Sequence, residues 1–271
     1  MNITNYKLKI KSVRHTLFFI FSFSLLSFIS CQKVINVDLN SASPAIVIVG
    51  NVNDQSGPYI VTLNQTVNFS QNNTFPPISS AFITISDDMG TIDTLAESIP
   101  GTYKTTKIAG AQGHTYTLKV IANGQTYIST CTMPQKVNFD TLVSVKQFRF
   151  RDTAIYPMPV FLDPGNSVNY YHFVETRNDS IVTRMFTIND QFDNGKFINY
   201  TMRSDTSLHI GDTVRVEMQC IDLGAYNYFS TFRQASGSTN VTPYNPLSNI
   251  SNNALGYFSA HTSQTKGIRV K

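Results

Sequence analysis

The sequence predicts an all-β protein: a β-sandwich followed by a second β-rich domain, a sandwich or a barrel, with one short helix. Short runs of alternating apolar and polar residues recur from residue 45 onward, as expected for strands with one buried face. Turn sequences such as Asp-Asp-Met-Gly and Asn-Gly separate these runs. The chain is also rich in Thr, Ser, Asn and Tyr, lacks tryptophan and has only 14% charged residues. This composition suits strands and turns better than helices.

The segment ahead of the first predicted strand is typical of an export signal. Its apolar run, Leu17 to Ile29, is too short to cross a bilayer, which requires about 20 apolar residues. Such a run behind a basic segment is the pattern of a secretory signal peptide. The basic residues ahead of it are Lys7, Lys9, Lys11 and Arg14, with no acidic residue among them.

Ser30-Cys31 at the end of this run is similar to a bacterial lipobox. We therefore expect residues 1–30 to be removed as a lipoprotein signal peptide and Cys31 to carry the lipid. Several acyl chains anchor a protein stably, whereas a single chain binds a membrane only marginally. The alternative is an ordinary signal peptide, and Phe28 is less usual than Leu at its position. Membrane lipid, bound through Cys31, is the first predicted partner.

Removal of residues 1–30 changes what the charge implies. The formal net charge falls from +4 to zero, because four of the 21 Lys and Arg residues leave while all 17 Asp and Glu residues stay. The remaining chain has no cluster of Lys and Arg of the kind that binds nucleic acid. We therefore expect no nucleic-acid partner.

The first predicted domain covers residues 31–135 and has six or so strands. Hairpins are indicated where two alternating runs flank Asp, Asn or Gly residues. The strand-forming stretches are "AIVIVGNV" (45–52), "YIVTLNQTV" (59–67), "AFITISDDMGTIDTLAE" (81–97) and "GTYKTTKIAGAQGHTYTLKVIANGQTYISTCTMP" (101–134).

The second predicted domain covers residues 136–271, beyond Met133-Pro134. A helix is predicted over 224–235, where aromatic residues recur at helical spacing. The chain is predicted to close with a turn-rich segment and two short strands. The other predicted strands are 141–150, 169–178, 181–189, 197–202 and 212–222.

Motifs of enzymatic chemistry are absent from the sequence. There is no nucleophile elbow, phosphate loop, paired metal cysteines or His-x-x-x-His pair. "NDQFDNGK" (189–196) resembles part of a calcium loop, but the twelfth position from Asp190 is Thr201 and not the required glutamate, so a turn is favoured. A disulfide between Cys131 and Cys220 is permitted in an exported protein, but separate buried thiols are favoured. We expect neither an enzyme nor a cofactor or metal site.

Five Asp-Ser/Thr-apolar tripeptides raise the possibility of modification, because this is the O-glycosylation acceptor pattern in one lineage of Gram-negative bacteria. The alternative is that such a tripeptide simply begins a strand after a turn, and the sequence leaves both open. The candidate acceptors are Thr94, Thr141, Thr153, Ser180 and Thr213.

Tyr170, Tyr171 and Phe173 are candidate liners of an aromatic pocket in the second domain. Aromatic rings offer large contact area at low entropic cost. The same pattern is typical of alternate core and surface positions along one strand, and that interpretation is favoured.

The order of motifs resembles the family known as domain of unknown function 4249. The motifs that carry the resemblance are "IVIVGNV", "YIVTLNQT", "AFITISDDMGT", "GTYKT", "GHTYTLKVIANGQTYIST", "DNGKFI", "GDTVRVEMQCID", "YNYF" and "NPLSNISNNALGYFSA". The resemblance implies an N-terminal Ig-like or transthyretin-like sandwich. It also implies an outer-membrane lipoprotein of Gram-negative bacteria, commonly paired with a TonB-dependent receptor. It supplies no catalytic residues.

Two functions follow as hypotheses. The first is a lipid-anchored accessory or ligand-capturing protein of the outer membrane, associated with a TonB-dependent receptor for nutrient uptake. The second is a surface-attached structural or adhesion module without a role in transport. The periplasmic and cell-surface faces of the membrane both stay open, because Gln32-Lys33 after the cysteine is not acidic.

Overall fold

A computed structural model describes residues 43–68, 74–149, 152–236 and 244–271. The predicted signal peptide, residues 1–30, and the lipidation site Cys31 lie outside these residues.

Sixteen strands and one helix make up the regular structure of the described residues. The strands of the first half are β1 (Ile46–Asn53), β2 (Ile60–Gln65), β3 (Phe82–Asp87), β4 (Ile92–Thr94), β5 (Ala96–Ile99), β6 (Thr102–Lys104), β7 (Thr115–Ala122) and β8 (Gln125–Thr132). The strands of the second half are β9 (Thr141–Arg149), β10 (Asp152–Leu162), β11 (Tyr170–Arg177), β12 (Ser180–Ile181), β13 (Phe186–Asn189), β14 (Phe197–Asn199), β15 (Thr213–Ile221) and β16 (Leu255–Arg269). The helix, α1, spans Leu223–Ser236. The predicted all-β class with one short helix is confirmed.

The largest sheet runs through both halves of the chain. Its strand order is β12-β11-β15-β16-β1-β2-β6-β5, and β13 also pairs with β11. Two smaller sheets, β4-β3-β7-β8 and β14-β10-β9, complete the β structure of the described residues. Each smaller sheet shares a hydrophobic core with one part of the large sheet. The fold is therefore two sandwiches joined through one continuous sheet.

The first core forms where alternate residues of the strands point inward. In β1 buried and half-buried positions alternate along the whole strand, as the pleat requires for a strand with one face against a core. Ile48, Leu63, Ile83 and Val120 are completely buried there. The same core includes Phe258 from the far end of the chain. The predicted boundary between residues 135 and 136 stays a prediction, and the structure shows that the first core draws on residues beyond it.

The prediction of two short strands at the end of the chain is wrong, because residues 255–269 form the single strand β16. Its first part pairs with β1 in parallel, from Val47 opposite Leu255 onward. Its second part pairs with β15 antiparallel, from Cys220 opposite Thr262 onward. Parallel pairing with a strand from the start of the chain leaves no hairpin turn in the local sequence. β16 therefore joins the two sandwiches.

Strand β10 is not among the predicted strands, since Pro157 and Pro159 lie at its centre. Proline lacks the N–H that a sheet ladder needs. In an antiparallel pair the N–H and C=O of one residue point to the same neighbour. The carbonyls of Pro157 and Pro159 accept bonds from the N–H groups of Met202 and Tyr200, and residues 200–202 belong to no strand. The missing donors thus face an irregular segment, and the ladder with β9 stays intact.

The predicted strand over 181–189 is also wrong as a single element. The structure divides it into β12 and β13, which pair with different parts of β11. Residues 182–185 between them belong to no strand. They leave the sheet at the place where α1 packs and where a cleft opens.

Candidate functional site

The helix α1 lies against the face of the large sheet that is turned away from the second core. Asp222 precedes it and caps its first turn, because its side chain accepts a hydrogen bond of 2.9 Å from the N–H of Ala225. Ala225 and Phe229 of the helix form a small apolar cluster with Ile221 at the end of β15. The predicted helix over 224–235 is confirmed within a residue at each end.

A cleft of about 680 Å³ opens between α1, β11 and the irregular segment 182–185. We call it the helix cleft. Most of its wall is apolar, and its charged side chains are Arg184, Asp205 and Arg233. The residues that line it are His172, Phe173, Val174, Ile181, Val182, Thr183, Arg184, Met185, Asp205, Phe229, Phe232, Arg233 and Tyr257.

Stacked rings form the floor of the helix cleft. The imidazole of His172 lies parallel to the ring of Phe229, with centroids 4.0 Å apart. Tyr257 of β16 meets Phe229 edge-on at 4.7 Å. Tyr228, the neighbouring helix residue, also packs on Tyr257, and burial raises its pKa to about 12. These contacts hold the helix on the sheet, so the cleft has a rigid base.

A hydrogen-bonded chain runs along the sheet beneath α1. Nδ1 of His172 lies 2.8 Å from Oε1 of Gln219, whose amide nitrogen donates to Glu217 at 2.9 Å. Ser263 donates to the same carboxylate oxygen at 2.7 Å. Because the amide oxygen of Gln219 can only accept, His172 carries its proton on Nδ1. Burial lowers the pKa of His172, so its ring is neutral and serves as a wall of the cleft.

Arg184 and Arg233 line the helix cleft, and Arg203 lines a neighbouring hollow together with both of them. We call these three arginines the arginine cluster. They border two further hollows, of about 380 and 320 Å³. Nη1 of Arg184 lies 2.8 Å from Oδ1 of Asp205. Nε of Arg203 donates to Oε1 of Gln147 at 2.7 Å. The cluster draws its members from three separate parts of the chain.

A buried ion pair fixes the loop that carries Arg203 and Asp205. Glu175 on β11 is fully buried, and its Oε1 lies 2.9 Å from Nη2 of Arg177. The same guanidinium nitrogen donates to Ser204 at 3.1 Å. Burial raises the pKa of Glu175, although Arg177 opposes this. Oε2 of Glu175 has no hydrogen-bond partner among the described residues.

The predicted aromatic liners lie in different surroundings. Tyr171 is fully buried in the second core, and its hydroxyl donates to Asp163. Phe173 borders the helix cleft, although its ring is buried in the same core. Tyr170 packs against Tyr226 of α1, with ring centroids 4.9 Å apart. Of the three, Phe173 is the one that the structure places beside the cleft.

The five candidate glycosylation sites all have exposed side chains. Four of them lie in the first two residues of a strand, as the alternative of a strand start also predicts, and Thr94 ends β4. The exposed acceptors are Thr94, Thr141, Thr153, Ser180 and Thr213.

Two smaller predictions are confirmed. Cys131 and Cys220 are free and buried, and burial raises the pKa of both thiols. Residues 191–195 form turns, with Gly195 at a φ of +74°, as favoured over a calcium loop.

In the described ranges no group of three His, Cys, Asp or Glu residues comes together as a metal site.

Sequence reasoning found the aromatic face of α1 but missed the arginine cluster. Phe229 and Phe232 recur at helical spacing, and both line the cleft. Arg184, Arg203 and Arg233 carry no local pattern, because the fold alone brings them together.

Among the described residues, no helix has the length and apolar character that crossing a bilayer requires.

A family model matches most of the chain. The family model described as Domain of unknown function (DUF4249) matches residues 32–267. Among solved structures, the Yersinia pseudotuberculosis adhesin InvE is 16% identical, with a TM-score of 0.22 over 65% of this chain and 55% of that one. The chain therefore spans about half the length of that adhesin. No curated protein matches it.

Proposed function

Because the chain belongs to the domain of unknown function 4249 family, we propose that it is a lipid-anchored outer-membrane protein that captures a ligand beside a TonB-dependent receptor. The proposal assigns binding to the protein and no catalysis. The observation that carries the capturing role is the helix cleft, where aromatic walls and the arginine cluster meet on a rigid sheet.

The chemistry of the cleft supports recognition. Ligand sites are typically concave and largely apolar, with a few convergent polar groups that fix orientation. The helix cleft has this composition, because Phe229, Phe232 and Tyr257 line it together with Arg184 and Arg233. The buried ion pair and the stacked rings hold these walls in place, so little conformational entropy is lost when a ligand binds.

The pairing of Ser30 and Cys31 at the end of an apolar run supports the anchor. We expect Cys31→Ala to appear in the soluble fraction of the cell envelope, whereas the wild-type protein and Gln32→Ala stay with the membrane. Mass spectrometry of the amino-terminal peptide should show the acyl chains on Cys31. A Cys31→Ala protein that remains membrane-bound would contradict the anchor.

Co-purification tests the association with a receptor. Wild-type protein taken from detergent-solubilised outer membranes is expected to bring down a TonB-dependent receptor. Cys31→Ala is expected to lose it, because an unanchored protein is diluted away from its partner. If anchoring depends on Cys31 and yet no receptor is recovered, the structural or adhesion module replaces the transport role.

A further inference from the structure

The arginine cluster gives one part of the surface a positive charge, although residues 31–271 together carry no net charge. Arg184 and Arg233 border both the helix cleft and the 380 Å³ hollow, while Arg184 and Arg203 border both smaller hollows. Asp205 is the single carboxylate among the described residues that line the three. Three guanidinium groups and one carboxylate thus line the helix cleft and the two hollows. The net charge of the chain is zero once residues 1–30 are removed.

The partners of Arg184 and Arg203 leave room for an anion. The side chain of Asp205 is 91% exposed, so solvent screens much of its attraction for Arg184. Arg203 donates to the neutral amide of Gln147. A guanidinium group offers several N–H donors in a planar fork, and it binds carboxylates strongly when two of them are used. An anionic ligand would therefore gain charge-assisted hydrogen bonds here.

The apolar walls of the helix cleft favour an apolar side chain. Its walls include aliphatic residues as well as rings, and aliphatic walls give hydroxyl groups no hydrogen-bond partner, so burying a hydroxyl-rich sugar against them carries a desolvation cost. An apolar side chain has no such cost and gains from burial. The apolar residues there are Ile181, Val182, Met185, Phe232 and Tyr257.

The irregular segment between β12 and β13 supplies a backbone for pairing. Residues 183–185 line the cleft and belong to no strand. Their N–H and C=O groups are therefore not part of a sheet ladder. An extended peptide can pair its backbone with groups that no ladder occupies, as it does at the edge of a sheet, while its side chains enter neighbouring pockets.

We propose that the helix cleft binds an acidic polypeptide segment, with an apolar side chain between α1 and residues 181–185 and carboxylates on the arginine cluster. The inference rests on the proposed function, because it names the ligand class of the same cleft. It goes beyond that function in stating that the occupant is a peptide and in naming which groups it must carry.

Fluorescence anisotropy with three labelled, end-blocked peptides tests the proposal on the full chain in detergent. The peptides are Glu-Glu-Phe-Glu-Glu, its glutamine counterpart Gln-Gln-Phe-Gln-Gln, and Glu-Glu-Ser-Glu-Glu. The first is expected to bind at least about 10-fold more tightly than either control, since charged hydrogen bonds and ring burial each contribute on that scale. Equal binding of the glutamine peptide would overturn the role of the arginines.

Matched variants locate the binding. Arg203→Gln is expected to weaken the binding of the acidic peptide by about 10-fold. Phe232→Ala is expected to weaken it by a similar factor. The matched controls are Arg215→Gln, whose arginine forms an exposed ion pair of 2.8 Å with Asp179, and Phe192→Ala, whose ring is 78% exposed. Both controls should bind as wild type. If Arg203→Gln binds as wild type and melts at the same temperature, the proposal fails.

A tri-galacturonate probe separates the failure of this inference from the failure of the proposed function. Tighter binding of the saccharide than of the peptide, lost in Arg203→Gln, would overturn the peptide class and leave ligand capture standing. If no peptide binds while a receptor still co-purifies through Cys31, the inference alone fails. If the acidic peptide binds and no receptor co-purifies, the transport role fails and the cleft assignment stands.

Discussion

His172 and Phe229 lie face to face, with ring centroids 4.0 Å apart and planes 5° from parallel. A neutral imidazole stacks on a phenyl ring without the cost of burying a charge, whereas a protonated one would carry that cost. Burial lowers the pKa of His172, and it lowers that of the nearby His261 to about 4. The packing of α1 on the sheet therefore depends on His172 staying uncharged.

Stability is expected to fall as the pH drops below about 6.5, the value of an unfolded histidine. Below it the unfolded chain binds more protons than the folded one, so acid favours unfolding. The decrease in the free energy of unfolding that His261 causes levels off below about pH 4. By then it amounts to on the order of 3 kcal/mol. Glu217 and Asp54 raise the pKa of His261 and so reduce this loss.

Urea denaturation at several pH values checks this expectation. His261→Gln should show a shallower pH dependence between pH 4 and 6.5. His209→Gln is the matched control, because the side chain of His209 is 85% exposed. Identical slopes for wild type and His261→Gln would show that this histidine is not the titrating group.

Loss of Arg177 is expected to destabilise the protein by about 3–5 kcal/mol, the cost of leaving a buried carboxylate without its partner. Arg177→Met should show this at neutral pH in urea denaturation. Because burial raises the pKa of Glu175 in the folded state, acid should protonate it and reduce the deficit. The deficit should shrink as the pH falls toward 4.5, the ordinary value for this carboxyl.

Arg215→Met is the control for this ion pair. Arg215 pairs with Asp179 at 2.8 Å, close to the 2.9 Å between Arg177 and Glu175, but both partners are largely exposed. Its loss should change stability little, since exposed ion pairs contribute little. A deficit as large as that of Arg177→Met would show that burial is not the cause.

Gly256→Ala is expected to cost more than about 3 kcal/mol, which marks a substitution that the backbone cannot accommodate. Gly256 has a φ of +92°, and a Cβ atom there would lie 2.0 Å from the carbonyl oxygen of Ile48. Gly124→Ala is the matched control, with a φ of +73° and nothing within 4 Å. It should cost about 1 kcal/mol, from backbone conformation alone. Similar costs in urea denaturation would contradict the close contact between β1 and β16.

Glycan attachment at the five tripeptides is tested by mass spectrometry of the native protein after proteolysis. If the pattern directs modification, glycan mass should occur on peptides that contain Thr141, Thr153 or Thr213. It should be missing from Thr206, which is also exposed but is followed by Ser207. If the mass of the protein equals lipid plus polypeptide, the tripeptides are not modified, and the interpretation as strand starts is favoured.

Much of the first sandwich could be predicted, because its strands are joined by short hairpins. The Asp-Asp-Met-Gly and Asn-Gly turns mark the β3-β4 and β7-β8 hairpins directly in the sequence. Those signals are local: turn chemistry and alternation lie within a few residues of each other. The helix is equally accessible, since Phe229 and Phe232 follow helical spacing.

The joining of the two sandwiches could not be predicted, for a physical reason. β16 and β1 pair in parallel although nearly the whole chain separates them in sequence. No turn sequence marks such a pairing. Its residues Phe258 and Ala260 carry the same alternation that a local hairpin would have. The arginine cluster is hidden in the same way, because Arg184, Arg203 and Arg233 become neighbours only once the segment between β12 and β13, the loop after β14, and α1 have packed together.

The position of β16 also sets the order in which the molecule can fold. A chain that emerges from its amino-terminal end presents β1 long before β16, so the first sandwich lacks Phe258 and Ala260 until the last residues arrive. Contacts between residues so distant in sequence form slowly. Until β16 has paired, β1 and β15 each present an unpaired strand edge with which other chains can pair. Truncation within residues 255–269 would make that exposure permanent, so the carboxyl-terminal strand controls both the completion of folding and the risk of aggregation.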